Sequence, residues 1–166
     1  MLDASYRILK IFDAVGSVHG RKKFQKMVHL LTSSGADFPF TFEYHHFGPY
    51  SAELQEEIAF LVQQGLLAES KENEAYVYRI TEKGRAFKEN LENSGVCRFH
   101  LAEAVVASLS EKNPQFLEMV STYAFLLESG YDVHSAAEKA ADLKPHLRAH
   151  LEEAVGFYHT VVTQQR

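Results

Sequence analysis

Apolar residues recur at helical spacing along most of this chain, and at alternate positions in two short stretches. Ile8, Leu9, Ile11, Phe12 and Val15 share one side of a helix from about Ser5 to Val15, which Gly16 can end. A second helix, from about Gly20 to Ser33, turns Phe24, Met27, Val28, Leu30 and Leu31 inward. Phe40, Phe42 and Tyr44 then alternate with polar residues, which predicts a half-buried strand within residues 38–47. The turn Phe47-Gly48-Pro49-Tyr50-Ser51 follows, and the Ser51 hydroxyl can cap a helix running to Gln64 with Leu54, Ile58, Leu61 and Val62 as its apolar stripe. Gly65 supplies that helix with a stop.

Leu66 and Leu67 lead into a hairpin whose tip, residues 69–74, contains no hydrophobic side chain. On the returning strand Tyr76, Tyr78 and Ile80 alternate with Val77 and Arg79, so one face packs on a core. Thr81 can cap a helix from Glu82 to Glu92, and Asn93-Ser94-Gly95 reads as a linker. From Val96 the pattern is helical throughout. A helix from Phe99 to Leu109 comes first. Asn113 as N-cap and Pro114 at the first helical position open the next, with Phe116, Leu117, Val120, Tyr123, Ala124 and Leu127 buried. Ser135 and Glu138 have the spacing of a capping box for an Ala-rich helix that stops before Pro145. A last helix, about Pro145 to Thr163, carries Leu147, Leu151, Val155, Tyr158 and Val162, a stripe suited to its own core, a partner or a dimer mate. The expected class is mainly α with a small β-hairpin. It comprises a winged helix-turn-helix domain over 1–93 and a C-terminal helical region over 96–166 for dimerisation or partner binding.

With 166 residues, 46% of them hydrophobic, the chain can bury a substantial core. It has no apolar run approaching the ~20 residues of a membrane span, and its start lacks an export signal, so a cytoplasmic protein that does not enter a membrane is expected. The single cysteine, Cys97, reads as a small buried hydrophobe. Charge changes the picture more. The expected recognition helix and hairpin, residues 51–76, hold six acidic residues against Lys71, a net charge of −5 that equals the value for the whole chain. Such a face repels a DNA duplex, because nucleic-acid binding is largely neutralisation of phosphate by Lys and Arg. The one basic patch is Arg21, Lys22, Lys23 and Lys26, at the start of the second helix, where cations oppose the helix dipole. It reads either as a solvated face or as a contact for an anion or nucleic acid.

The segment from Leu66 through Tyr78 and Arg79 to Thr81-Glu82-Lys83-Gly84-Arg85 resembles the wing and exit helix of PadR-like and MarR-like winged-helix regulators. Adding the stretch Gly20-Arg21-Lys22-Lys23-Phe24-Gln25-Lys26-Met27-Val28-His29-Leu30-Leu31 and the stretch His46-Phe47-Gly48-Pro49-Tyr50-Ser51-Ala52-Glu53-Leu54, the N-terminal half is similar to the uncharacterised bacterial YwgA-type family. More distantly it is similar to Panacea antitoxin domains. That broader group shares a Lys-x-x-Gln-Lys-like helix followed by a Gly-Pro-Tyr-Ser-like turn. The resemblance implies binding, often to a protein such as a toxin, and transfers no catalytic residue.

Catalytic signatures are correspondingly thin. His146 and His150 are four apart with Asp142 a turn earlier, but no Cys pair or His-Glu-x-x-His accompanies them, and no metal or other cofactor is expected. Gly-x-Ser-x-Gly is absent, and residues 16–21 have too few spacers for a phosphate loop. His45 and His46 point to opposite faces if extended, one of them packing by Tyr50. The expected function is therefore non-enzymatic: an adaptor or antitoxin-like module binding a protein through Glu53, Glu56, Glu57, Phe60 and Gln64. The alternative is a dimeric winged-helix transcription regulator that contacts duplex DNA through Arg21, Lys22, Lys23 and Lys26. Gly48, Pro49, Tyr50 and Ser51 form the turn that carries the resemblance.

Overall fold

A computed structural model describes residues 2–165. The chain is mainly helical with a small antiparallel sheet. Helix α1, Leu2–Val15, buries Tyr6, Ile8, Leu9, Ile11 and Phe12, and Gly16 ends it. A three-residue strand β1, Ser17–His19, intervenes before α2, Arg21–Ser33, which buries nearly all of its length from Phe24 onward. Residues 36–42 have no regular structure, so the expected strand shrinks to β2, Glu43–His45, paired with β3, Gly48–Tyr50, across the His46–Phe47 turn. Phe38, Phe40 and Phe42 still pack on the core, so the burial was right although the strand was not.

Ser51 caps α3, Ala52–Gln63, by accepting a hydrogen bond from the Leu54 amide at 3.2 Å. Strands β4, Leu67–Glu72, and β5, Ala75–Ile80, form a hairpin, and β1 adds to the outer side of β5 to give the order β1-β5-β4. The hairpin turn is tighter than its polar tip suggested: only Asn73 and Glu74 lie between the strands, both at positive φ (50° and 68°), as a primed turn requires. Thr81 caps α4, Glu82–Ser94, through the Gly84 amide at 2.9 Å. The expected linker at Asn93 and Ser94 is the last turn of α4, closed by Gly95 in the left-handed region.

In the C-terminal half, α5 spans Glu103–Ser110, shorter than expected because residues 97–102 run without regular structure and tuck Cys97 and Leu101 into the core. Helix α6, Pro114–Glu128, has the expected Asn113 cap, with the side chain 2.8 Å from the Phe116 amide. Helix α7, Val133–Leu143, is capped by Asp132, which accepts from the Ser135 amide at 2.8 Å, so the box on Ser135 and Glu138 does not form. The last helix is interrupted. A tight 3-10 turn, Pro145–His150, precedes α8, Leu151–Phe157, which passes into a wide π turn, Tyr158–Val162. Its apolar stripe faces inward: Leu147, Tyr158 and Val162 are buried, and the Tyr158 and Tyr123 rings meet edge to face at 5.5 Å.

Helix α6 is the hub of the molecule. It buries residues on every side and packs against α2, α7, α8 and β3, so one hydrophobic cluster runs from Ile8 through Leu30 and Val120 to Val162. No helix among the described residues is long and apolar enough to cross a membrane.

Candidate functional site

The two motifs that carry the resemblance meet in space. Lys22, Gln25 and Lys26 lie on one face of α2 because positions three and four apart are neighbours on a helix surface. That face meets the Gly48–Ser51 turn. The Gln25 carboxamide pairs with both polar groups of Ser51, donating to its carbonyl at 2.8 Å and accepting from its amide at 2.9 Å. Lys26 Nζ donates to the Pro49 carbonyl at 2.7 Å. Gly48 has φ +92°, and a Cβ there would lie 3.2 Å from Thr122 Oγ1 and 3.6 Å from Lys26 Cε, so the turn can cross this close to α6 only with glycine.

Beneath the turn sits a buried carboxylate that the sequence did not flag. Glu118 of α6 is 1% exposed and pairs with Lys22 through Oε1 and with Lys144 through Oε2, the latter at 2.9 Å. The Lys144 approach is an ion pair without hydrogen-bond alignment to Oε2. Lys144 also donates to the His46 carbonyl at 2.5 Å, tying the end of α7 to the β2–β3 hairpin. Burial would raise the Glu118 carboxyl, but the close ammonium groups of Lys22 and Lys144 outweigh it and hold the group below the usual carboxylate range. Lys26, 2% exposed, goes the other way: burial pushes its ammonium down to about 7, with Lys22 and Lys144 adding to the effect and Glu118 opposing it.

Above these groups opens a cavity of about 450 Å³ between α2 and the hairpin, lined by Arg21, Lys22, Lys26, His45, Phe47 and Tyr50 among others. His45 packs on Tyr50 with ring centroids 4.9 Å apart, as expected for one of the histidine pair. The basic patch is divided. Arg21 turns to β5, its guanidinium 4.1 Å from the Tyr76 ring centroid and its Nε donating to the Tyr78 hydroxyl at 2.8 Å, beside Glu69. Lys23 donates to the Ser110 carbonyl at 2.5 Å, and burial lowers its ammonium. Lys22 and Lys26 line the cavity beside Glu118, with Arg21 at its β5 side.

The acidic face is separate. Glu53 accepts from the Thr41 amide at 3.0 Å, Glu57 accepts from the Ser5 hydroxyl at 2.5 Å, and Glu56 is exposed. Among the described residues none of the three pairs with Lys or Arg, whereas the hairpin acids Glu69 and Glu72 are answered by Arg21 and Arg79. Phe60, 39% exposed, and Gln64 border a shallow groove of about 230 Å³ with Leu2, Leu66 and Phe87. Helix α3 therefore presents uncompensated acidic residues beside a half-exposed aromatic ring.

One further constellation was invisible in the sequence. Ser121 Oγ lies 2.6 Å from His29 Nδ1, and Glu128 lies 3.2 Å from His29 Nε2. The order is that of a nucleophile, a base and an orienting acid, but Ser121 is fully buried, so a substrate has no approach to it. Its role is to tie α2 to α6. Among the described residues no group of three His, Cys, Asp or Glu side chains is placed to hold a metal ion.

No protein-family model matches the chain. It is 30% identical over 148 residues to the uncharacterized protein YwgA of Bacillus subtilis (strain 168), an alignment covering 87% of this chain and 86% of that one.

Proposed function

The chain belongs to the YwgA family, and we propose that it acts as a non-catalytic winged-helix binding module that docks on a basic protein surface through α3, in the manner of an adaptor or antitoxin. The element order α1-β1-α2-β2-β3-α3-β4-β5, with β1 on the far side of β5 from β4, supports the winged-helix reading, in which α3 would be the recognition helix. The observation that carries the function is the surface of α3. Glu53 and Glu56 stand exposed without a Lys or Arg pair among the described residues, next to half-exposed Phe60 at the rim of a groove that Leu2, Leu66 and Phe87 line together with Lys83. Such a surface suits a cationic partner: the charges speed encounter and select against acidic surfaces, while the aromatic ring supplies the buried anchor.

The DNA-reading alternative draws less support. It needs Arg21, Lys22, Lys23 and Lys26 displayed together on an outer face to meet a duplex backbone, whereas Arg21 turns to Tyr78 and Glu69, Lys23 to the Ser110 carbonyl, and Lys22 and Lys26 line a cavity beside Glu118 and the Pro49 carbonyl. The inward stripe of the last helix likewise favours a partner other than a second copy joined through those helices. Work in the cytoplasm, without a cofactor, is part of the same reading.

The test is affinity capture from host lysate with the wild type and with the Glu53→Lys, Glu56→Lys double variant, folding being checked by circular dichroism. Loss of a basic partner from the folded variant is expected, and undiminished capture would overturn the reading. A labelled random duplex, titrated at about 50 and about 200 mM salt, should show no binding; submicromolar binding that weakens steeply with salt would instead favour the regulator.

A further inference from the structure

Lys26 is a buried cation without a carboxylate partner. Its ammonium donates to the Pro49 carbonyl, its remaining N–H donors are unused among the described residues, and Glu118 is taken by Lys22 and Lys144. Three ammonium groups thus share one buried carboxylate, and an unpaired buried charge is costly unless something answers it. Although its side chain is almost wholly covered, Lys26 lies against the 450 Å³ cavity, as one of its lining residues.

The rest of the cavity is shaped for more than an inorganic anion. Its volume is in the range of small-molecule sites and far exceeds a phosphate group. Phe47 stands 57% exposed at the mouth, with Lys22 Nζ 4.9 Å from its ring centroid, and Tyr50 lies stacked on His45. Gln55, whose carboxamide has no hydrogen bond among the described residues, lines the same wall. Cations at the floor, flat rings at the mouth and a free amide between them match a phosphate joined to a hydrogen-bonding ring. We propose that this cavity binds a nucleotide, its phosphate held by Lys22 and Lys26 and its base against Phe47 and Tyr50.

Gln55 of α3 lines one wall, but the site uses none of Glu53, Glu56, Glu57, Phe60 and Gln64, and it stands or falls independently of the protein-docking reading. Binding an anion restores the proton to Lys26, so affinity falls as pH rises from about 6 to about 9. The phosphate's own second ionisation, near pH 6, pushes the other way, which makes the sign diagnostic. The other charged or titratable groups around Lys26 and the cavity are Arg21 and Lys22 of the same helix, Glu118 of α6, Lys144 after α7, and His45, His46 and Tyr50 of the β2–β3 hairpin.

Isothermal titration calorimetry of the full chain with inorganic phosphate, adenosine and each of AMP, GMP, CMP and UMP tests this. At least one monophosphate is expected to bind more tightly than phosphate, with adenosine far weaker and proton uptake on binding at alkaline pH. Lys22→Ala and Phe47→Ala should each weaken that monophosphate by about tenfold. Phe47→Ala leaves the Glu118 cluster intact, so its effect is readable even if Lys22→Ala disturbs folding. Failure of all the phosphates to bind the folded protein, binding indifferent to both variants, or affinity that rises with pH would each overturn the proposal.

Discussion

Lys26 sets the sharpest expectation at the scale of single residues. In the unfolded chain its ammonium keeps its proton up to the ordinary 10.5, whereas folding lowers the value to about 7. Between those values the unfolded state binds more protons, so this residue makes stability rise with pH through the window and imposes its full penalty below it. Lys26→Met should remove a slope of up to ~1.4 kcal/mol per pH unit, read as the difference in urea-denaturation free energies at about pH 7 and about pH 9. Gly84 carries a different constraint. A Cβ at this position of α4 would lie 2.2 Å from the Leu66 carbonyl oxygen, a backbone atom that cannot swing aside. Gly84→Ala is therefore expected to cost ~3 kcal/mol, measured by thermal or chemical unfolding. The glycine of the Thr-Glu-Lys-Gly-Arg stretch is thus explained by the close passage of α4 over the start of the hairpin, not by a need for positive φ.

Among the elements, those with local chemistry were legible in the sequence. Ser51, Thr81 and Asn113 each cap the helix they precede, because a hydroxyl or amide three residues before a helical N–H needs no tertiary help. Strand β1 escaped notice because three residues between two helices carry no periodicity, and it exists only by pairing Ser17 with Arg79 and His19 with Val77. The Ser135–Glu138 spacing misled because Asp132, three residues earlier, offers a carboxylate to the same helix start. The turn at Asn73–Glu74 has a local cost of its own. Glutamate at φ 68° is strained, and Glu74→Gly should stabilise the hairpin by about 0.5–1 kcal/mol in denaturant titrations. The contact between α2 and the turn is the stronger tie. Gln25→Ala would orphan the amide of buried Ser51 and leave its carbonyl with the Gln55 amide alone, and is expected to cost ~1–3 kcal/mol by the same measurement.

For the molecule as a whole, α6 decides what the sequence concealed. The basic residues at the start of α2 were legible as a patch, but their fate depends on Glu118 and Lys144. Lys144 reaches the His46 carbonyl across 98 positions of sequence, a link no local pattern encodes. Once α6 is in place, Lys22 and Lys26 turn inward, and Glu53 and Glu56 of α3 face outward with no Lys or Arg pair among the described residues. The acidic residues of that surface were readable from composition. Their separation from the hairpin acids was not, because Arg21 and Arg79 neutralise Glu69 and Glu72 only in the folded chain. The central claim is that α3, with Phe60 as anchor, is where a basic protein docks. Photo-crosslinking in the host tests it most directly, with p-benzoylphenylalanine placed at Phe60 and, for comparison, at Val133, which is exposed on α7. The account predicts a crosslink from position 60 to a basic protein, absent from position 133 and lost when Glu53 and Glu56 are reversed in charge. A partner crosslinked from position 133 and never from position 60 would contradict it.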